Sequence, residues 1–181
     1  MKHEIDELVE LTPPNSKWAE WFLTEKTSLE KTLGDDAKGI EHIGSTAIPN
    51  IWAKPIVDIL IGVGADLMSK EKRLSLVDLG YKYYGEAGVT GRLYFTKRGQ
   101  RNFNLAVVSW GGSLWHANIL FRDYLRRHPD EGRRYERSKK NIIRKGSRQL
   151  FEYSDQKKPI ISKLIKNAEK WSSQQLPLLE D

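Results

Sequence analysis

The chain has no cysteine among its 181 residues. That excludes disulfides, thiolate nucleophiles and Cys-type zinc sites together. It also lacks a long apolar run. The longest, residues 55–65, is too short to span a bilayer and is interrupted by Asp58. The first seven residues carry acids and no apolar core, which argues against a secretory signal. No internal repeat or low-complexity block is present. These absences lead to the expectation of a cytoplasmic protein with no membrane segment.

What is there is enough for a folded domain. Hydrophobic residues make up 39% and aromatic residues 10% of the chain, so a core can form. The length suits one domain spanning 1–181, with a sheet part (1–111), a helical part (112–172) and a frayed polar tail (173–181). The formal net charge is +6, which permits anionic partners without choosing among them. The basic excess falls late, from Arg122 to Arg148, where the plain reading is the solvated face of amphipathic helices.

Periodicity divides the chain further. Residues 7–11 alternate and stop at Pro13-Pro14, as a short edge strand would. Trp18, Trp21, Phe22, Leu29 and Leu33 recur at helical spacing, with Asn15 or Ser16 as cap and Gly34 as stop. Strands are expected at 39–43, 56–63, 81–84, 92–97 and 103–110, with a hairpin connection at residues 97–100 and a helix over 66–79. From Ser113 onward the pattern is helical: 114–127, broken at His128-Pro129, then 130–145, then a helix opened by Ser154 or Asp155. The architecture predicted is α+β, a mixed β-sheet flanked by helices with a C-terminal helical bundle.

The residues that carry chemistry lie between positions 41 and 63. Gly44-Ser45-Thr46 follows a strand, and Asp58 sits within the next one. Glycine lets a backbone approach an anion, and free N–H groups at a helix start favour negative charge. The plain alternative is a strand-to-helix turn with a hydroxyl cap. Asp58 needs a reason, because an unpaired buried carboxylate is costly. Lys54, aimed by Pro55, and Arg92 are cations for phosphate or for Asp58 itself. Glu86 is a candidate second carboxylate on a loop. His42, Arg101 and Asn104 are accessory candidates, with a packed strand histidine the plainer reading of His42. Arg122 and Asp123 read as a helix-surface ion pair. The strand aromatics Tyr81, Tyr83, Tyr84, Tyr94 and Phe95, and Trp110 and Trp115, read as core.

Residues 41–63 resemble the signature of the GrpB family, a group placed by fold in the nucleotidyltransferase (polymerase-β-like) superfamily. Three further stretches are similar to that family: Gly88 through Phe95, the helix end Phe121-Arg122-Asp123-Tyr124-Leu125-Arg126-Arg127-His128-Pro129, and Tyr153-Ser154-Asp155 through Ile160. The resemblance implies the superfamily's fold and, by analogy, nucleotidyl transfer from an NTP to a small-molecule acceptor. It implies Ser45 and Thr46 on triphosphate and Asp58 on Mg²⁺; Glu86 is the candidate substitute carboxylate for that ion, with an exposed loop acid as the plain alternative. The chain departs from the pattern. The superfamily's second strand acid is replaced by Leu60, and the later strand offers Asn102, Asn104 and Ala106 where an acid, or the family's histidines, would stand. A degenerate nucleotide- or coenzyme-binding module is therefore the alternative expectation, and a nucleic-acid-binding protein using the basic helices the third.

Overall fold

The computed structural model describes residues 7–64 and 67–175. Five strands form one mixed sheet in the order β1-β2-β5-β4-β3. They are β1 (Gly39–Ile43), β2 (Val57–Val63), β3 (Lys82–Tyr83), β4 (Leu93–Lys97) and β5 (Phe103–Ser109). The central pair β2–β5 is parallel and the other three pairings are antiparallel.

Alternation along β2 explains the two faces. Val57, Ile59, Ile61 and Val63 point one way, into a core with Phe95, Phe103 and Leu105. That face is covered by α1 (Lys17–Leu33), through Trp18, Leu29 and Leu33, and by α2 (Lys70–Asp78), through Leu76. Asp58, Leu60 and Gly62 point the other way. There Leu60 packs with Ile43, Val108 and Trp115 of α3 (Ser113–Arg127). A Cβ on Gly62 would lie 2.5 Å from the Trp110 ring, so only glycine lets that indole lie flat on the strand.

Helix α3 packs with α4 (Pro129–Arg144) and α5 (Leu150–Gln175) around Tyr124, Leu125, Tyr135, Leu164 and Ala168, and this bundle also receives Ile48 and Ile51. The fold is α+β, as predicted. Among the described residues no helix is long and apolar enough to cross a membrane.

Several boundaries differ from expectation. Residues 7–11 form no strand of the sheet. They make an isolated bridge at Leu8 to Gln149, with another at Thr12 to Ala53. Buried Val9 anchors this segment against Ile142 and Tyr153 instead. In 81–84 only Lys82 and Tyr83 join the ladder, because Tyr81 turns inward and its hydroxyl donates to Glu25 at 2.8 Å. The α2 helix starts at Lys70, where the Ser69 hydroxyl accepts the Lys72 N–H; the expected start at Asp66 lies outside the described residues. Helix α5 begins four residues before Ser154, since Tyr153 extends the apolar stripe backwards. Pro159 is accommodated on its exposed side. Helix α5 runs to Gln175, through positions 173–175 of the expected frayed tail; residues 176–181 lie outside the described residues.

Candidate functional site

Strand β1 is followed by Gly44, whose φ of 70° and ψ of −171° belong to a region open to glycine alone. The chain then makes a one-turn 3₁₀ helix, Ser45–Ala47. Register places Ile43 opposite Asp58, so the turn lies over the strand carboxylate. The approach is close: a Cβ on Gly44 would stand 2.3 Å from Asp58 Oδ2. Glycine here serves two needs at once, the backbone conformation and room for the carboxylate.

The other carboxylate oxygen is held from β5. Asn104 is the register partner of Asp58 and donates its Nδ2 to Oδ1 at 2.7 Å. Asn104 Oδ1 in turn accepts from Arg98 Nη2 at 2.9 Å, and Arg98 grips Glu7 with Nε and Nη2. Asp58 is thus oriented by a relay of neutral amide and remote cation.

The bundle closes the site with charge that the sequence pattern concealed. Lys139 of α4 is 1% exposed, and its Nζ donates to Ser45 Oγ at 3.0 Å and to the Trp52 carbonyl at 2.5 Å. Its ammonium also lies 4.6 Å from the Tyr135 ring centroid. Burial, reinforced by Lys157, brings Lys139 down to about 7 against the opposing pull of Asp58 and Glu136. The Tyr135 hydroxyl shares a hydrogen bond with Ser45, and burial pushes it up to about 12. Lys54 and Lys157 are both lowered by burial, and Asp58 opposes the shift in each.

Arg92 belongs to the same field: burial lowers it, while Tyr94 and Asp58 act to raise it. Its guanidinium is tied to the Glu86 and Ala87 carbonyls and lies 4.6 Å from the Tyr94 ring centroid. Burial raises the Tyr94 hydroxyl, with Asp58 adding to the effect. The charge of Asp58 thus favours the protonated forms of Lys54, Arg92, Lys139 and Lys157 alike.

The remaining candidates are placed elsewhere. Glu86 is exposed and closes its own loop by accepting the Gly91 N–H at 2.7 Å. Thr46 is buried, and its hydroxyl bonds His42 Nε2 at 2.9 Å. His42 projects to the opposite sheet face from Asp58, because strand residues alternate; there it stacks on Phe22 at 5.0 Å. Burial, with Arg126 and Arg122 adding, lowers it to about 4, which makes it a neutral packed histidine. Arg101 is exposed over Trp21 of α1, away from Asp58. Leu60 and Ala106 are register partners on the Asp58 face under α3, where a second acid would have to be buried against hydrocarbon.

The donor set around Asp58 does not suit a resident Mg²⁺. Among the described residues no three His, Cys, Asp or Glu side chains group to hold a metal. Asn104 presents its amide nitrogen to Asp58 and its oxygen already accepts from Arg98, so it adds no charge and only a partly committed oxygen. The nearby charges are cations, the wrong sign for a metal cage.

The α3 helix end holds the Ser45 turn in place. Arg122, expected as a surface pair, is 8% exposed and bridges Glu41 at 2.6 Å, the His42 carbonyl at 3.2 Å and Asp123 at 2.8 Å. Arg126 Nε donates to the Ala47 carbonyl at 2.8 Å. Residues 8–167 match the model of the family described as GrpB protein. The chain belongs to the GrpB family. The UPF0157 protein YqkA of Bacillus subtilis is 37% identical over 90% of this chain and 48% of its own length. The chain thus spans about half of that relative. The Glutamate-rich protein GrpB of Alkalihalophilus pseudofirmus is 34% identical over 86% of this chain and 92% of its own length. A crystal structure of the conserved protein GrpB from Enterococcus faecalis is similar at TM-score 0.80 and 30% identity, covering 90% of this chain and 99% of that one.

Reading the basic run of this GrpB chain from Arg122 to Arg148 as one solvated face overlooks Lys139, and Lys157 of α5, beyond that run, is overlooked as well. A signal existed. Gly132, Tyr135, Lys139 and Ile142 follow each other at helical spacing of three and four, so Lys139 stands in the buried stripe. Lys157 likewise falls four residues after buried Tyr153 and seven before Leu164.

Proposed function

We propose that the region between the Ser45 turn, Asp58 and the inner faces of α4 and α5 binds the phosphate groups of a nucleotide or nucleotide-like coenzyme. The observation that carries this reading is the buried Lys139 ammonium, 1% exposed and 3.0 Å from Ser45 Oγ, at a backbone turn made by Gly44. Burial lowers this lysine and also Lys54 and Lys157, against the pull of Asp58 on all three, of Glu136 on Lys139 and of Glu7 on Lys54. Lysines lowered by burial and by one another mark a place short of negative charge, and a polyphosphate supplies it. Ser45 and the lysines would then be the phosphate donors, while Asp58 keeps the cations separated and oriented.

Mg²⁺-dependent nucleotidyl transfer to a small-molecule acceptor is the second reading. It is favoured by the contact between Asp58 and Gly44, which sets a carboxylate beside the proposed phosphate cradle. Thermal-shift measurements with ATP, inorganic tripolyphosphate and adenosine, each with EDTA or Mg²⁺, distinguish the two. A ligand at 100 times its Kd stabilises by about 2.7 kcal/mol. The binding reading expects ATP and tripolyphosphate to stabilise in EDTA, adenosine to do nothing, and Asp58→Asn to retain the effect. Stabilisation that requires Mg²⁺ and vanishes in Asp58→Asn establishes the second reading. No stabilisation by any phosphate overturns both.

A further inference from the structure

The outer side of α4 is independent of that region. Arg137, Arg144 and Lys145 on this helix and Arg148 just beyond it are exposed. Their side chains make no hydrogen bond or ion pair with other described residues, whereas the neighbouring Arg133, Arg134 and Lys140 are paired with Asp130, Glu131 and Glu136. Four cations with no side-chain partner among the described residues therefore project from the second half of the helix and the residues just after it. Arg137 and Arg144 are seven residues apart, about 10 Å along the axis.

A cavity flanks the helix on each side of this crest. One, of about 430 Å³, is lined by Arg134, Arg137, Ser138, Asn141, Lys145 and Gln156, with Ile142 at its base. The other, of about 550 Å³, is walled by Leu8, Val9, Leu11, Trp52, Arg144 and Arg148 among others, and Glu10 is the acid it contains. Trp52 is half-buried beneath Lys140, whose ammonium lies 4.0 Å from the ring centroid, and Leu8 beside it is 74% exposed.

We propose that this crest and its two cavities bind single-stranded nucleic acid, with Arg137, Arg144, Lys145 and Arg148 on backbone phosphates and Trp52 under a base. Cations alone would fit any polyanion. The half-buried indole and the exposed Leu8 beside them fit a base turned out from its neighbours, which a duplex holds in its stack and a single strand offers freely.

Fluorescence anisotropy with a labelled 12-nucleotide oligouridylate, in EDTA, tests this. Four phosphate contacts on a single strand give a log–log salt slope near −2.8, so Kd weakens about fifty-fold from 50 to 200 mM salt. The variant R137A/R144A/K145A/R148A alters exposed side chains and is expected to keep the wild-type melting temperature. Its affinity should fall at least tenfold, and the same salt change should move it less than about threefold. Trp52→Leu should weaken binding roughly fivefold or more at unchanged slope. Lys157→Gln, in the Ser45 region, should change neither. Absence of binding, an affinity that survives the quadruple variant, or equal affinity for a duplex of the same length would overturn the proposal. Equal binding of a poly-glutamate peptide would also overturn it, assigning the surface to an acidic protein instead.

Discussion

Replacing Gly44 with alanine tests the contact on which the site is built. Two costs add. A residue other than glycine at φ 70°, ψ −171° is strained by about 1–3 kcal/mol. The new methyl would also lie 2.3 Å from Asp58 Oδ2 and 3.0 Å from its Cβ and Cγ, so the carboxylate must leave. Leaving breaks its 2.7 Å bond from Asn104, a hydrogen bond to a charged group worth about 1.5–3 kcal/mol. Gly44→Ala should therefore destabilise by about 2.5–6 kcal/mol, which for a chain of this size lowers Tm by roughly 5–24 °C. The two costs separate in a double-mutant cycle. In an Asp58→Ala background the backbone strain persists and most of the clash does not, so the pair should couple by about 1.5–3 kcal/mol. Urea unfolding of the four proteins measures this. A loss below about 1 kcal/mol for Gly44→Ala, or additivity with Asp58→Ala, would refute the contact.

Further expectations concern the bundle and the opposite face. Lys139→Met removes a buried ammonium but leaves Ser45 and the Trp52 carbonyl without its donations, so stability should change by less than about 2 kcal/mol while tripolyphosphate affinity in calorimetry falls tenfold or more. Lys139 at about 7 when folded and in the ordinary lysine range when unfolded binds fewer protons in the native state between those values. Its burial penalty is complete below about pH 7 and is relieved as pH rises toward 10.5; urea titrations should show the native protein gaining stability across that window, and Lys139→Met should flatten the gain. His42, lowered to about 4, contributes stability that is present above pH 6.5 and lost as pH falls toward 4. The wild type should weaken between pH 6.5 and 5 more than His42→Gln does. Arg122→Ala removes the clamp from α3 onto Glu41 and the His42 carbonyl and should cost about 2–4 kcal/mol in urea unfolding, whereas Arg127→Ala on the same helix is exposed and should be near neutral.

The strands with one apolar side were readable because alternation and burial coincide. Residues 39–43 became β1 unchanged, and β2 starts one residue later than expected. Asp58 stood out as a charge in an apolar run, and Gly44 and Asn104, the residues that touch it, were also chosen. What escaped was chemistry placed by tertiary packing. Lys139 and Lys157 come from helices remote in sequence from Ser45, and their burial is visible only as a charged residue within an apolar helical stripe. Thr46, close to Gly44 in sequence, instead spends its hydroxyl on His42, and His42 is the packed strand histidine of the plainer reading. Arg122 was read as a surface ion pair because its partner in sequence, Asp123, is visible, and its partners on β1, eighty residues away, are not.

Isothermal titration of inorganic tripolyphosphate in EDTA, in two buffers of different ionisation enthalpy at pH 7.5, is the decisive measurement. An anion entering beside Lys139 raises that lysine from about 7, so binding should occur without metal and take up a fraction of a proton. Both the heat and the proton uptake should be lost in Lys139→Met, and Lys157→Gln should weaken the affinity. Absence of binding without Mg²⁺, or binding that Lys139→Met leaves intact, would contradict a phosphate site built from these cations.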